Sequence, residues 1–261
     1  MPINASIVQG SVLGPNLFNI NSSELIPLSP KNFYFKYADD ATLLIPSSNL
    51  STLQDELKHH ESWASSCNLK LNPNKTAELV IPSRKNLPDP PLNPGVLRVP
   101  TVKLLGIIID SNLSFHKNSE EAISACNQSL YALRVLKQSG LSERLQQQVF
   151  KSTVLPKLFY ASPSWLGFIS KTTLAKYESF LKKATKYGYN KVNAPSAQTQ
   201  LDQIDLNLFH RILQNSSHIL HSQLPPKRLL PYSIRGSWHG REIGSKDDRN
   251  FINRMLYKNI Y

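Results

Sequence analysis

The sequence is short of cysteine, of acidic residues and of long apolar runs. Its 261 residues hold two cysteines, Cys67 and Cys126. They lie far apart, in helix-like contexts, so free thiols are expected rather than a disulfide. Two thiols are also too few for a zinc site built on cysteines within the chain. No apolar run approaches the ~18 residues that span a membrane. The start, Met1-Pro2-Ile3-Asn4, lacks the basic-then-apolar pattern of a signal peptide. No membrane partner is expected, and a reducing compartment, cytoplasm or nucleus, follows. No internal repeat or low-complexity tract is present, nor a phosphate-binding Gly-Lys loop.

Acidic residues number 18 against 30 basic ones, for a net charge of +12. Residues 1–112 hold 9 Lys/Arg and 9 Asp/Glu, so they are neutral; residues 113–261 hold 21 and 9 and carry the whole excess. Hydrophobic residues reach 40%, enough for a folded core. A neutral half joined to a basic half is the electrostatic footprint of a polyanion partner.

Tyr37-Ala38-Asp39-Asp40 stands between two strand-like runs, 32–36 and 41–45. The pattern predicts a hairpin with two carboxylates at its tip. Such oxygens suit a hard divalent cation such as Mg²⁺, and the chemistry suggested is metal-assisted phosphoryl transfer. A solvated β-turn is the plain competitor.

Around that hairpin the order is legible. Pro15 suits the first turn of a short helix. After the hairpin, Ser51 and Gln54 fit a capping box, and Leu53, Leu57, His60 and Ala64 recur at helical spacing, with Asn68 as a stop. Leu69–Leu71 and Thr76–Ile81 read as two short strands around the turn Asn72-Pro73-Asn74-Lys75. Hairpin, helix, hairpin is an α+β, palm-like arrangement. A proline-rich loop, 82–100, precedes one apolar strand, Val102–Asp110, in which Gly106 reads as a bulge. Four helical patterns follow. They are centred on Ala122–Leu136, Leu145–Val154, Leu174–Ala184 and Leu206–Ile219. The last thirty-odd residues show little periodicity. His59 and His60 read as helix surface, and Trp63 as core.

Four motifs fall in one order: Gln9-Gly10-Ser11-Val12-Leu13-Gly14-Pro15-Asn16-Leu17-Phe18, then Tyr37-Ala38-Asp39-Asp40, then Leu69 to Thr76, then Val102 to Asp110. The series resembles the reverse transcriptases of non-LTR retrotransposons, of the LINE type. The resemblance is dense over residues 5–115. It implies a partial polymerase palm at 1–112, a helical thumb-like region at 113–190 and a basic C-terminal segment at 191–261. It also implies RNA-directed DNA polymerase activity with an RNA template, a DNA primer and deoxynucleoside triphosphates as partners. On the matching positions, Asp39 and Asp40 bind catalytic Mg²⁺. Tyr37 and Ala38 lie against the primer terminus and incoming nucleotide, and Gln9 and Gly10 line the template and nucleotide pocket. Lys75 neutralises or protonates the leaving pyrophosphate, and Gly106 belongs to the primer-gripping region. Gln9 as a turn cap, Lys75 as a solvated turn lysine and Gly106 as a strand kink are the plain competitors.

The family also has a carboxylate on an earlier palm strand, and basic fingers that hold the triphosphate. Eight residues precede Gln9, none of them acidic, and Val8 stands where the family usually has proline. The expectation is a truncated polymerase, inactive alone, whose palm sheet lacks a strand beside the hairpin. Two alternatives compete: a non-catalytic nucleic-acid-binding remnant that uses the basic half, and another palm enzyme such as a cyclase or maturase.

Overall fold

The computed structural model describes residues 10–82, 90–93, 95–227 and 239–258. These divide into two compact units, one built from residues up to Val99 and one from Pro100 onward, with the short stretch 81–83 grouped with the second. The α+β class expected from sequence holds.

In the first unit, helix α1 spans Gly14–Ser23 with proline in its first turn; the Ser11 hydroxyl accepts from the Gly14 amide at 3.0 Å. Strands β1 (Phe33–Tyr37) and β2 (Asp40–Leu44) form the expected antiparallel hairpin, Phe33 opposite Leu44 and Tyr37 opposite Asp40. Strand alternation sends Tyr34 and Lys36 to one face. Tyr34 meets the edge of His60 at 5.6 Å between ring centres. Lys36 Nζ donates to the carbonyls of Ser22 and Leu25. It thereby ties β1 to the end of α1 and the chain just beyond it, and burial pulls its pKa down.

A 3₁₀ stretch, Ser47–Thr52, leads into α2, Leu53–Ser66. The capping box does not form. Thr52 takes the N-cap position without a side-chain cap bond, and Gln54 instead donates to Asn93 Oδ1 at 3.0 Å. Asn68 ends the helix as expected, left-handed at φ 54°, with the Leu69 amide bonded back to the Ala64 carbonyl at 2.8 Å.

The second hairpin is absent among the described residues. Asn72 winds the chain into a turn, its carbonyl accepting from the amides of Lys75 and Thr76 and its side chain from Asn74. Only β3 (Ala77–Glu78) remains extended. It pairs in parallel with β4 (Leu97–Arg98). A salt bridge of 2.7 Å between Arg98 and Glu78 locks that pair, while Arg98 also grips the carbonyls of Pro90 and Pro91. Three alternating residues at 69–71 were too few to hold a ladder against these longer-range bonds.

In the second unit the apolar run is a hairpin, β5 (Thr101–Leu104) and β6 (Ile107–Asp110), not one strand. Leu105 and Gly106 are its two-residue turn, both with positive φ, 46° and 87°, the conformation that tight hairpins of matching twist demand.

Helix α3 spans His116–Gln138 and stops before Gly140, at φ 90°. Helix α4 (Glu143–Val149) runs through a π-helical turn, Phe150–Val154, into α5 (Leu155–Leu158). The wide turn sits just before Pro156, which has no N–H to give the regular ladder. After α6 (Ser162–Trp165) come α7 (Lys171–Lys186) and α8 (Ala197–Gln214). The fourth helical pattern was read too far, since Ile219 lies beyond α8 and is exposed. A further helix, α9 (Phe251–Tyr257), went unread; Asn250 caps it by accepting from the Asn253 amide.

The core of this unit packs Leu130 and Leu133 of α3 with Phe150, Val154, Trp165 and Tyr177. Trp165 and Tyr177 stack at 5.6 Å. Both cysteines are free, and burial pushes the Cys126 thiol up to about 11. Among the described residues no helix is long and apolar enough to cross a membrane.

A carboxylate hairpin as candidate metal site

The hairpin turns at Ala38 and Asp39. Ala38 adopts φ 50°, a left-handed conformation that costs an alanine about 1 kcal/mol. A small side chain keeps that cost low, and the turn sets Asp39 and Asp40 side by side at an exposed tip. Neither carboxylate takes part in a hydrogen bond or ion pair with the described residues. Four oxygens are therefore free to ligate. Tyr37 is 67% exposed and shares its strand face with Phe33 and Phe35, also exposed.

Hard carboxylate oxygens on a short turn fit a divalent cation in donor type. They fit it only in part. Among the described residues no group of three or more His, Cys, Asp or Glu side chains comes together. The tip alone therefore offers two carboxylates, fewer than the set that brackets two ions in two-metal chemistry.

Other expected site residues fall as follows. Gln9 lies outside the described residues. Gly10 sits at φ 85° with open space where a Cβ would be, so its backbone conformation calls for glycine and its flank is clear. Lys75 is the exposed last residue of the Asn72 turn. Its ammonium makes no ion pair with Asp39 or Asp40. Gly106 belongs to the second unit. A Cβ there would stand 3.3 Å from the Tyr160 ring, and the Tyr160 hydroxyl donates to the Leu105 carbonyl at 3.1 Å.

Sequence reasoning missed the polar cluster at the open end of the hairpin. Glu56 on α2 is fully buried. Its Oε1 accepts from the Ser29 amide at 3.0 Å and from Asn32 Nδ2 at 2.8 Å. Burial alone would raise its pKa; the bonds from Ser29 and Asn32, with the nearby Leu28 backbone and His59, outweigh it and hold the carboxyl below its ordinary range. A helical count from Leu53 (53, 56, 60, 63) would have put this glutamate on the buried face. His59 and His60 are likewise half-buried rather than surface. His59 contacts the Ile26 carbonyl at 3.1 Å, and His60 lies between Tyr34 and Trp63; burial draws the His60 pKa down.

The hairpin thus presents two adjacent carboxylates at an exposed tip, with Tyr34 on its other end packed against His60 of α2. Residues 1–109 match the family described as reverse transcriptase (RNA-dependent DNA polymerase). The RNA-directed DNA polymerase from mobile element jockey of Drosophila melanogaster is 28% identical over 190 residues, 67% of this chain and 21% of that protein. Its Drosophila funebris counterpart is 28% identical over 194 residues, 67% of this chain and 20% of that protein. The probable RNA-directed DNA polymerase from transposon BS of Drosophila melanogaster is 26% identical over 201 residues, 70% of this chain and 22% of that protein. The chain is thus homologous to polymerases of LINE-type elements and spans about a fifth of the length of these relatives. No solved structure matches significantly. The reading as a non-catalytic remnant is not favoured, and reverse transcriptases as a family use a divalent metal with template, primer and nucleotide.

Proposed function

We propose that this chain is part of an RNA-directed DNA polymerase of a non-LTR retrotransposon, and that its Asp39–Asp40 hairpin supplies part of a Mg²⁺ site for nucleotidyl transfer. The observation that carries this reading is the pair of uncommitted carboxylates at a fixed turn inside a segment of reverse transcriptase sequence. In the reaction a primer 3′-hydroxyl attacks the α-phosphorus of a deoxynucleoside triphosphate and pyrophosphate leaves. The chemistry a divalent cation supplies when bound is acidity at the attacking hydroxyl and neutralisation of phosphate charge.

The chain's own residues then divide the work. Asp39 and Asp40 hold the cation. Tyr37 and Ala38 border the primer terminus, and Gln9 and Gly10 the template and nucleotide. Lys75 meets the charge that builds on the departing pyrophosphate. Residues 1–112 act as palm, with 113–190 as a thumb-like region and 191–261 as a basic extension, Gly106 standing in the primer-gripping hairpin. The basic half holds RNA and DNA through their phosphates, inside the cell. If about five phosphates are neutralised, doubling the salt lowers affinity roughly twentyfold.

The test grafts residues 10–110 into a jockey-type polymerase that provides the rest of the palm. RNA-templated primer extension is expected, abolished by Asp39→Asn and reduced roughly 10- to 1000-fold by Lys75→Ala. Extension that survives Asp39→Asn contradicts the reading.

A further inference from the structure

The hairpin that carries Asp39 and Asp40 has only two strands among the described residues. A lone two-stranded hairpin is marginal in water, so its aim must be set from outside the ladder. Its open end shows how. Asn32 directly precedes β1 and is buried at 2% exposure. Asn49 follows β2 in the 3₁₀ stretch. Asn49 Nδ2 donates to Asn32 Oδ1 at 2.7 Å and to the Ser29 hydroxyl at 2.9 Å. Asn32 Nδ2 in turn donates to Thr52 Oγ1 at 2.9 Å and to Glu56 Oε1 at 2.8 Å. The chain entering the hairpin and the chain leaving it are therefore tied to each other, and both to one carboxylate on α2.

We propose that Glu56 is a positioning residue for the metal hairpin. Through Asn32 and Asn49 it closes the open end of β1 and β2 and fixes the direction in which the Asp39–Asp40 tip points. Three features set it apart from a merely stabilising contact. First, Glu56 is the hub. Its Oε1 takes bonds from both the loop before β1, through Ser29, and the residue that begins the strand, Asn32. Second, a buried carboxylate held by N–H donors is a strong, directional anchor. Third, the strand is short: five residues separate the clamp from the turn, and a pleated ladder transmits rotation at its base directly to its tip. Partners that orient metal ligands from behind change metal affinity even though they never touch the ion. The inference rests on the metal reading proposed above.

The test is Mn²⁺ binding to the purified full chain, followed by the electron paramagnetic resonance signal of the free ion, with no polymerase activity required. Glu56→Ala is expected to weaken Mn²⁺ binding about tenfold or more. Glu56→Gln keeps an oxygen for Ser29 and Asn32 and should restore affinity to within about twofold of wild type, since loss of the clamp, not of the charge, sets the effect. Asn49→Ala, at a half-buried position, should weaken binding in the same sense. Arg98→Ala, which breaks the Glu78 bridge in the same unit without touching the clamp, should lower thermal stability and leave Mn²⁺ affinity unchanged. Wild-type affinity in both Glu56→Ala and Asn49→Ala overturns the proposal. So does an Arg98→Ala loss as large as that of Glu56→Ala. Should Glu56→Ala not fold, Asn49→Ala decides alone. Mn²⁺ binding that persists in Asp39→Asn shows instead that the metal reading has failed, and the positioning role goes with it.

Discussion

Removing Arg254 should unseat the last helix from the second unit. Asp205 on α8 is almost wholly buried, and its Oδ2 takes two bonds from Arg254 on α9, from Nε at 3.2 Å and Nη2 at 3.0 Å. Its Oδ1 has no partner. Burial raises the Asp205 pKa even with the guanidinium beside it; Arg254, and Lys258 at longer range, offset part of that cost. Taking away one partner of a buried pair costs about 3–5 kcal/mol. Arg254 also donates to the Asp248 carbonyl at 3.0 Å and the Pro163 carbonyl at 3.4 Å, worth about another 1 kcal/mol together. Arg254→Ala should therefore cost roughly 4–6 kcal/mol, a large part of the ~5–15 kcal/mol that holds a domain. Asp205→Leu combined with Arg254→Met leaves no charge buried and should recover most of the loss. The assay is urea unfolding at neutral pH of both single variants and the double, followed by circular dichroism. A coupling energy under about 0.5 kcal/mol would refute the reasoning.

Gly167→Ala attacks the same docking by another route. Its new Cβ would stand 2.2 Å from the Asp248 carbonyl oxygen and 2.8 Å from Arg249 Cα, and overpacking against backbone should cost about 1–3 kcal/mol or more in the same urea series. Gly106→Ala places alanine at φ 87°, tight against Tyr160, with an expected loss of about 1–2 kcal/mol; a gain in stability would contradict the turn assignment. Asp110 accepts from the amides of Asn112, Ser114 and Phe115 and from the Ser114 hydroxyl. Burial opposes these bonds, which prevail and hold its pKa down; Glu56 behaves likewise. A folded pKa below the unfolded one means stability present above the ordinary carboxylate range and lost as pH falls through the folded value. Asp110→Asn and Glu56→Gln should each flatten the loss of stability on acidification below about pH 4.5. A variant that unfolds along the wild-type acid curve would show that its carboxylate is not held as described.

The parts legible in the sequence were those fixed by short-range chemistry. Pro15 at a helix start, Asn68 at a helix end, and the period-two run on both sides of Ala38-Asp39 all acted where they stand in the chain. The turn at Ala38-Asp39 was legible because two strand-like runs flank it directly in the chain. Misreadings arose where a local signal had two solutions. Gly106 in an apolar run fits a bulge or a tight turn, and the positive φ of Leu105 beside it decided for the turn. Leu69–Leu71 alternates like a strand, yet Asn72 and the Arg98–Glu78 bridge claim the neighbouring backbone. Helix α9 is short and depends on Arg254 reaching Asp205 across 49 positions. The Glu56 cluster joins residues 17 or more apart, and no window of the sequence shows such a meeting.

Primer extension by the purified chain alone, on an RNA template with Mg²⁺ and deoxynucleotides, tests the central claim most directly. In the proposed reading Asp39 and Asp40 supply part of a metal site, and no third acidic side chain joins them among the described residues. The expected result is no incorporation by the wild-type chain, although the same chain binds Mn²⁺ through Asp39. RNA-templated incorporation that disappears in Asp39→Asn would contradict the account, because the chain would then be completing the metal site by itself.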